Sequence, residues 1–153
     1  MTIPERIARH IGPLPTPPKP IAMFVPVTQS GNILHISGQG PNIENGVQYR
    51  GKLGAECDIQ TGYNAARLCG VNLLAHLKAY LDDLDRVEKL LKATVYVASA
   101  DDFYDQPLVA NGFSELMVQI FEEKGYHARC AVGMASLPGN IPVEIDLVVQ
   151  VRA

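Results

Sequence analysis

The sequence predicts an α+β domain, a β-sheet with two helices packed on one face. Three observations carry this reading. Apolar residues recur at helical spacing twice, from Ala66 to Leu84 and from Val109 to Ile120. Val143, Ile145, Leu147, Val149 and Val151 alternate at a spacing of two, the pattern of a strand buried on one face. Two helices set among strands can cover only one side of the sheet. At 153 residues the chain fits one such domain with a sizeable core.

The elements follow in chain order. Residues 13–20, Pro-Leu-Pro-Thr-Pro-Pro-Lys-Pro, contain five prolines and cannot form a helix or a central strand. The expected organisation is therefore an extended proline-rich arm over residues 1–20 and one domain over 21–153. Asn32-Ile-Leu-His-Ile-Ser37 is β-rich and closes at Gly38-Gln39-Gly40-Pro41. The Asn45-Gly46 turn signal makes Gly46–Tyr49 its expected partner strand. Asp58 is placed to cap the first helix, whose stripe is Ala66, Cys69, Leu73, Leu77, Leu81 and Leu84. Val87 to Ala98 reads as a central strand. In the second helix Asp105 can cap, Pro107 fits the first turn, and Val109, Phe113, Leu116 and Ile120 form the stripe, with Gly125 a natural stop.

Two strands finish the chain, joined by a turn at Pro138-Gly139-Asn140. The expected order is thus β-β-α-β-α-β-β. In the first of the closing pair, Cys130, Val132 and Met134 share one face, and Ala131, Gly133 and Ala135 the other. Neither face is built for water. The uncovered side of the sheet is therefore expected to meet another subunit.

Composition excludes several classes of function. A net charge of −3 with scattered Lys and Arg argues against a general nucleic-acid binder. The N-terminus lacks the layout of a signal peptide, and no apolar run is long enough for a bilayer. Three cysteines without a CxxC pair point to a reduced compartment, and a cytoplasmic location is expected.

His10, His35, His76 and His127 lie far apart and form no zinc pattern, so neither metal nor cofactor is expected. Cys130 lies three residues from His127, on the opposite face of a strand, and reads as a buried structural cysteine rather than a nucleophile. No GxSxG elbow is present, and Gly38-Gln39-Gly40 lacks the lysine of a phosphate loop. Arg129 and Glu144 remain, and they allow two readings. They form a structural ion pair between neighbouring strands, or Arg129 binds a ligand carboxylate while Glu144 positions a water.

Ser37-Gly38-Gln39, Asn111, Ala128-Arg129, Leu137-Pro138 and Val143-Glu144-Ile145 together resemble the RidA (YjgF/YER057c/UK114) family, from about Pro20 to the C-terminus. The closing hairpin is the most specific part. The resemblance implies a chorismate-mutase-like fold assembled as a homotrimer with ligand clefts between subunits. It also implies hydrolysis of reactive enamines and imines, such as 2-aminoacrylate, to a 2-keto acid and ammonia, without a cofactor. Arg129 matches the family's carboxylate clamp and Glu144 its water-handling glutamate. Gly38, Cys130 and Asn111 match segments lining the cleft. Phe24 stands where the family has a tyrosine, Ala131 where it often has a cysteine, and His127 where it usually has a proline. The implied ligand is a small carboxylate-bearing imine or keto acid, with neither membrane nor nucleic acid as partner. The alternatives are a non-catalytic module that binds such carboxylates and, more weakly, the endoribonuclease label that part of the family carries.

Overall fold

The computed structural model describes residues 1–17, 19, 20 and 22–153. Pro18 of the expected arm and Ile21, the expected first residue of the domain, lie outside the described residues. A five-stranded mixed sheet organises the chain, in the order β1-β2-β5-β3-β4. Its strands are β1 (Val27–Ser30), β2 (Ile33–Gln39), β3 (Val87–Ala98), β4 (Ala128–Met134) and β5 (Val143–Val151). β3 and β4 run parallel, and the other pairs are antiparallel. Helices α2 (Ile59–Leu81) and α3 (Gln106–Phe121) pack together on one face, α2 against β2 and β5 and α3 against β3 and β4. The α+β expectation holds.

The first twenty residues are not an extended arm throughout. Ile3–His10 forms a third helix, α1, opened by a capping box in which Thr2 and Glu5 satisfy each other's backbone N–H groups. Ile3 and Ile7, one turn apart, are buried in the main core. Arg6 fastens the helix to the end of α3. Its Nε donates to the Ile120 carbonyl at 2.7 Å, and its guanidinium pairs with Glu122 at 3.2 Å.

A second correction concerns the first hairpin. The partner of the 32–37 strand is β1, joined to β2 through Gly31 at φ +57°, and Gly46–Tyr49 is not a strand. The Asn45-Gly46 turn does form, with the Gly46 N–H donating to the Ile43 carbonyl at 3.0 Å. The Asn42 side chain then occupies the Tyr49 backbone, accepting from its N–H at 2.6 Å. β2 already has β1 and β5 on its two edges, which leaves no ladder to join.

Asp58 caps α2 as expected, accepting from the Thr61 N–H at 2.8 Å. Asp105 occupies the cap position of α3 but makes no side-chain cap bond. The two helices approach very closely at Gly112, where a Cβ would lie 2.0 Å from the Tyr63 carbonyl oxygen. All five apolar residues of the β5 alternation are buried beneath the helices. The opposite face is less apolar than the sequence suggested. Its centre carries Thr94, Tyr96, Glu144 and Asp146, and the Tyr96 hydroxyl donates to Asp146 at 3.1 Å. Apolar side chains remain there at Val148 of β5 and at the β4 edge, where Val132 is 40% exposed.

Candidate functional site

Arg129 sits on edge strand β4 opposite the buried Ala93 of β3, so its side chain points to the helix side of the sheet. Asn111 and Ser114, one helical turn apart on α3, meet it there. The Arg129 Nη1 donates to Asn111 Oδ1 at 3.0 Å and to Ser114 Oγ at 3.1 Å. Among the described residues no acceptor engages Nε or Nη2, so one edge of the guanidinium fork is uncommitted. Arg129 lines a cleft of about 520 Å³ together with Ser114, Glu115, Val118, Gln119, Tyr126 and His127.

His127, two residues before Arg129, lies on the same side. Its Nδ1 is 2.7 Å from the Gly125 carbonyl oxygen and its Nε2 is 2.9 Å from Ser114 Oγ. A carbonyl only accepts, so Nδ1 carries the proton in the neutral ring and Nε2 accepts from the Ser114 hydroxyl. Phe113 holds the ring edge-on, with centroids 5.4 Å apart. Burial pushes the imidazole below its ordinary pKa. The bond to Gly125 works against that shift, and the Arg129 charge adds to it.

Glu144 belongs to a different place. β3 separates β4 from β5, and Glu144 pairs with Tyr96 on the open face of the sheet. Within one chain, therefore, Arg129 and Glu144 neither sit on neighbouring strands nor share a face, and the intrachain ion pair is excluded. Glu144 instead lies against Gly38, at the bulge where β2 shifts register between Ile36 and Gln39. A Cβ on Gly38 would come within 2.9 Å of the Glu144 carboxylate, so the glycine makes room for it. Burial pushes the Glu144 carboxyl above its ordinary pKa, and the adjacent Asp146 carboxylate adds to the shift. A second cleft, of about 530 Å³, opens beside it, lined by Phe24, Pro26, Ser37, Gly38, Gln39 and Pro138 among others.

The expected site residues thus fall into two groups. Arg129 and Asn111 meet at the first cleft, and Ala131 packs against the core on the same face of β4. Gly38, Glu144 and the half-exposed Phe24 meet at the second. Cys130 stands apart on the open face opposite Thr94, and it is exposed rather than buried as expected. It makes no approach to His127, which is bonded to Ser114 instead. Sequence reasoning missed Ser114. The signal was present in the three-residue spacing of Asn111 and Ser114 and the two-residue spacing of His127 and Arg129.

Residues 12–150 match a family model described as "YjgF/chorismate mutase-like, putative endoribonuclease". The chain is 42% identical over 140 residues to protein TCP17 of Trypanosoma cruzi, spanning 91% of this chain and 88% of the relative. It is 26% identical over 139 residues to a 2-iminobutanoate/2-iminopropanoate deaminase of Dermatophagoides farinae, spanning 90% of this chain and 93% of the relative. A crystal structure of a protein of unknown function from Agrobacterium tumefaciens superposes with a TM-score of 0.90 at 40% identity, covering 99% of this chain and 93% of that one.

Proposed function

Because the chain belongs to the YjgF/chorismate mutase-like family, we propose that it hydrolyses small carboxylate-bearing imines and enamines of the 2-aminoacrylate type to a 2-keto acid and ammonia. One observation carries the reading: Arg129 is held through Nη1 by two acceptors of α3, and it lines a cleft with the rest of its fork uncommitted. That is the arrangement for binding a carboxylate with two parallel charge-assisted hydrogen bonds. The distant relative named as an imine deaminase supports the reaction class.

The chemistry asks little more of the protein. An imine carbon is already electrophilic, so water adds to it once the substrate is anchored and the water aligned. Glu144 is the water-positioning group in this reading, and burial, with Asp146 beside it, raises its carboxyl above the ordinary value, which makes it a better proton acceptor than a free carboxylate. Arg129 and Glu144 lie on opposite faces of one sheet, so the site is completed by a second copy, in a homotrimer with clefts between subunits. Gly38, Phe24 and the Cys130 backbone supply the remaining walls. Three unpaired cysteines are compatible with a cytoplasmic location, and no helix is long and apolar enough to cross a membrane.

The test is ammonia and keto-acid release from freshly generated 2-aminoacrylate. The wild type should exceed buffer and Arg129→Ala should not; equal rates in all three sink the reading. A second reading, carboxylate binding without turnover, draws on Phe24, which brings a ring but no hydroxyl to its cleft. Calorimetry with 2-keto acids separates the two, since binding without ammonia release favours the module. The endoribonuclease label has the net charge of −3 against it. Nuclease activity that survives stringent purification and disappears in Arg129→Ala would reinstate it.

A further inference from the structure

Ser114 has one hydroxyl proton and two polar neighbours, and the geometry settles where that proton is. Its oxygen accepts from Arg129 Nη1 at 3.1 Å, and its contact with His127 Nε2 is 2.9 Å. While Nδ1 donates to the Gly125 carbonyl and the ring is neutral, Nε2 has only a lone pair to offer. The Ser114 O–H is therefore committed to His127 and cannot reach a ligand in the cleft it lines.

Protonation of His127 reverses this. Nε2–H then donates to Ser114 Oγ, whose two lone pairs take the His127 and Arg129 donors. The hydroxyl proton is released towards the cleft, beside the uncommitted edge of the Arg129 fork. The same event places a second positive charge behind the anchor.

We propose that Ser114 and His127 extend Arg129 into a proton-coupled anion site. A bound carboxylate takes a hydrogen bond from the Ser114 hydroxyl as well as from Arg129, and His127 takes up one proton at Nε2 as it binds. Ser114 is the group that touches the ligand. His127 acts through it as a positioning residue. The inference rests on the carboxylate anchor proposed above and adds to it a ligand-binding residue and a pH dependence.

The groups around His127 favour this linkage. Arg129 on β4 opposes protonation of the free ring, and a bound carboxylate would offset that charge. Glu115 on α3 lines the same cleft and is hydrogen-bonded by the Tyr63 hydroxyl, while Tyr126 forms the neighbouring wall. In the turn that follows α3, Lys124 donates to the Val87 carbonyl, Glu122 pairs with Arg6, and Glu123 is exposed. Burial disfavours the protonated His127 ring when the cleft is empty, so binding of an anion can draw a proton to it.

The experiment is calorimetric titration of the full chain with pyruvate, in two cationic buffers of unlike ionisation enthalpy, at several pH values. Wild type should take up close to one proton per ligand between the His127 pKa of the free protein and that of the complex, with affinity falling about tenfold per pH unit in that window. His127→Gln should bind with no uptake and a flat pH profile. Ser114→Ala should lose most of the linkage, and Ser114→Thr should restore it. Wild-type binding without proton uptake, or uptake that persists in His127→Gln, overturns the inference and leaves the carboxylate anchor standing. Failure of wild type to bind pyruvate overturns both. If His127→Gln does not fold by circular dichroism, the wild-type buffer dependence and the Ser114 pair decide the matter.

Discussion

The Arg129 cleft and the Glu144 cleft are built in different ways. Arg129 is oriented by Asn111 and Ser114, 18 and 15 residues earlier in the chain, through one α-β unit. The Glu144 cleft draws on the segment before β1, on the bulge in β2 and on β5, so more than a hundred residues separate its contributors. Its main ring, Phe24, is 48% exposed. Two hydrogen bonds fix the Arg129 guanidinium within one α-β unit, while the Glu144 cleft is assembled from segments far apart in the chain. In the proposed trimer the two clefts would be halves of one site. Preorganisation of this kind belongs with the interaction that must be strongest, here the charge-assisted clamp.

Four experiments test that contrast. The largest effect is expected from Arg129→Ala, which should cost about 3–4 kcal/mol of transition-state stabilisation, or roughly 10²- to 10³-fold in kcat/KM. Glu144→Gln should be similarly poor. A co-refolded equal mixture of the two should recover roughly a quarter of the wild-type sites, because a trimer can pair an intact Arg129 with an intact Glu144 from its neighbour. No recovery from subunits shown to have mixed would mean that Arg129 and Glu144 do not serve one shared site. Gly38→Ala comes next. Its Cβ would press on the Glu144 carboxylate at 2.9 Å, and about a tenfold loss in kcat is expected with little change in thermal stability. A large fall in melting temperature would show instead that Gly38 is a folding residue.

The pH profile tests both halves at once. Glu144 must be ionised to orient water, so its raised pKa makes activity rise with pH through a value above the ordinary carboxylate range. Proton uptake at His127 favours ligand binding on the acid side of its lowered pKa. The profile of kcat/KM should therefore be a bell between the two, and His127→Gln should remove only its alkaline limb. Loss of the acid limb in that variant would contradict the assignment. Phe24→Tyr should have the smallest effect, a gain of about two- to fivefold from one added hydrogen bond, read in steady-state rates.

Much of this was legible in the residues themselves. The β5 alternation, both long helices and the parallel position of β4 behind α3 follow from local periodicity and connection rules. Helix α1 also announced itself through the Thr2-Glu5 capping box and Ile3 and Ile7 four apart. The proline run beyond it masked that signal, because a breaker ends a helix without forbidding one upstream. The Asn45-Gly46 turn was real, yet no sequence rule shows that Asn42 will satisfy Tyr49 in place of a ladder. Arg129 and Glu144 were recognisable as residues to watch. Their separation by β3 depends on strand order, which pairwise patterns leave open. The three-residue spacing put Ser114 on the same helix face as Asn111, but its contact with Arg129 and His127 needs α3 and β4 to come together.

Gly112 lies between Asn111 and Ser114 on the surface of α3 that meets α2, and a single added methyl would collide with the Tyr63 backbone 2.0 Å away. Backbone cannot yield as a side chain can. A library sampling every amino acid at position 112 should therefore return glycine alone. A geneticist mapping tolerance would score this position as severely as a binding residue, because it sets how closely α2 and α3 can approach.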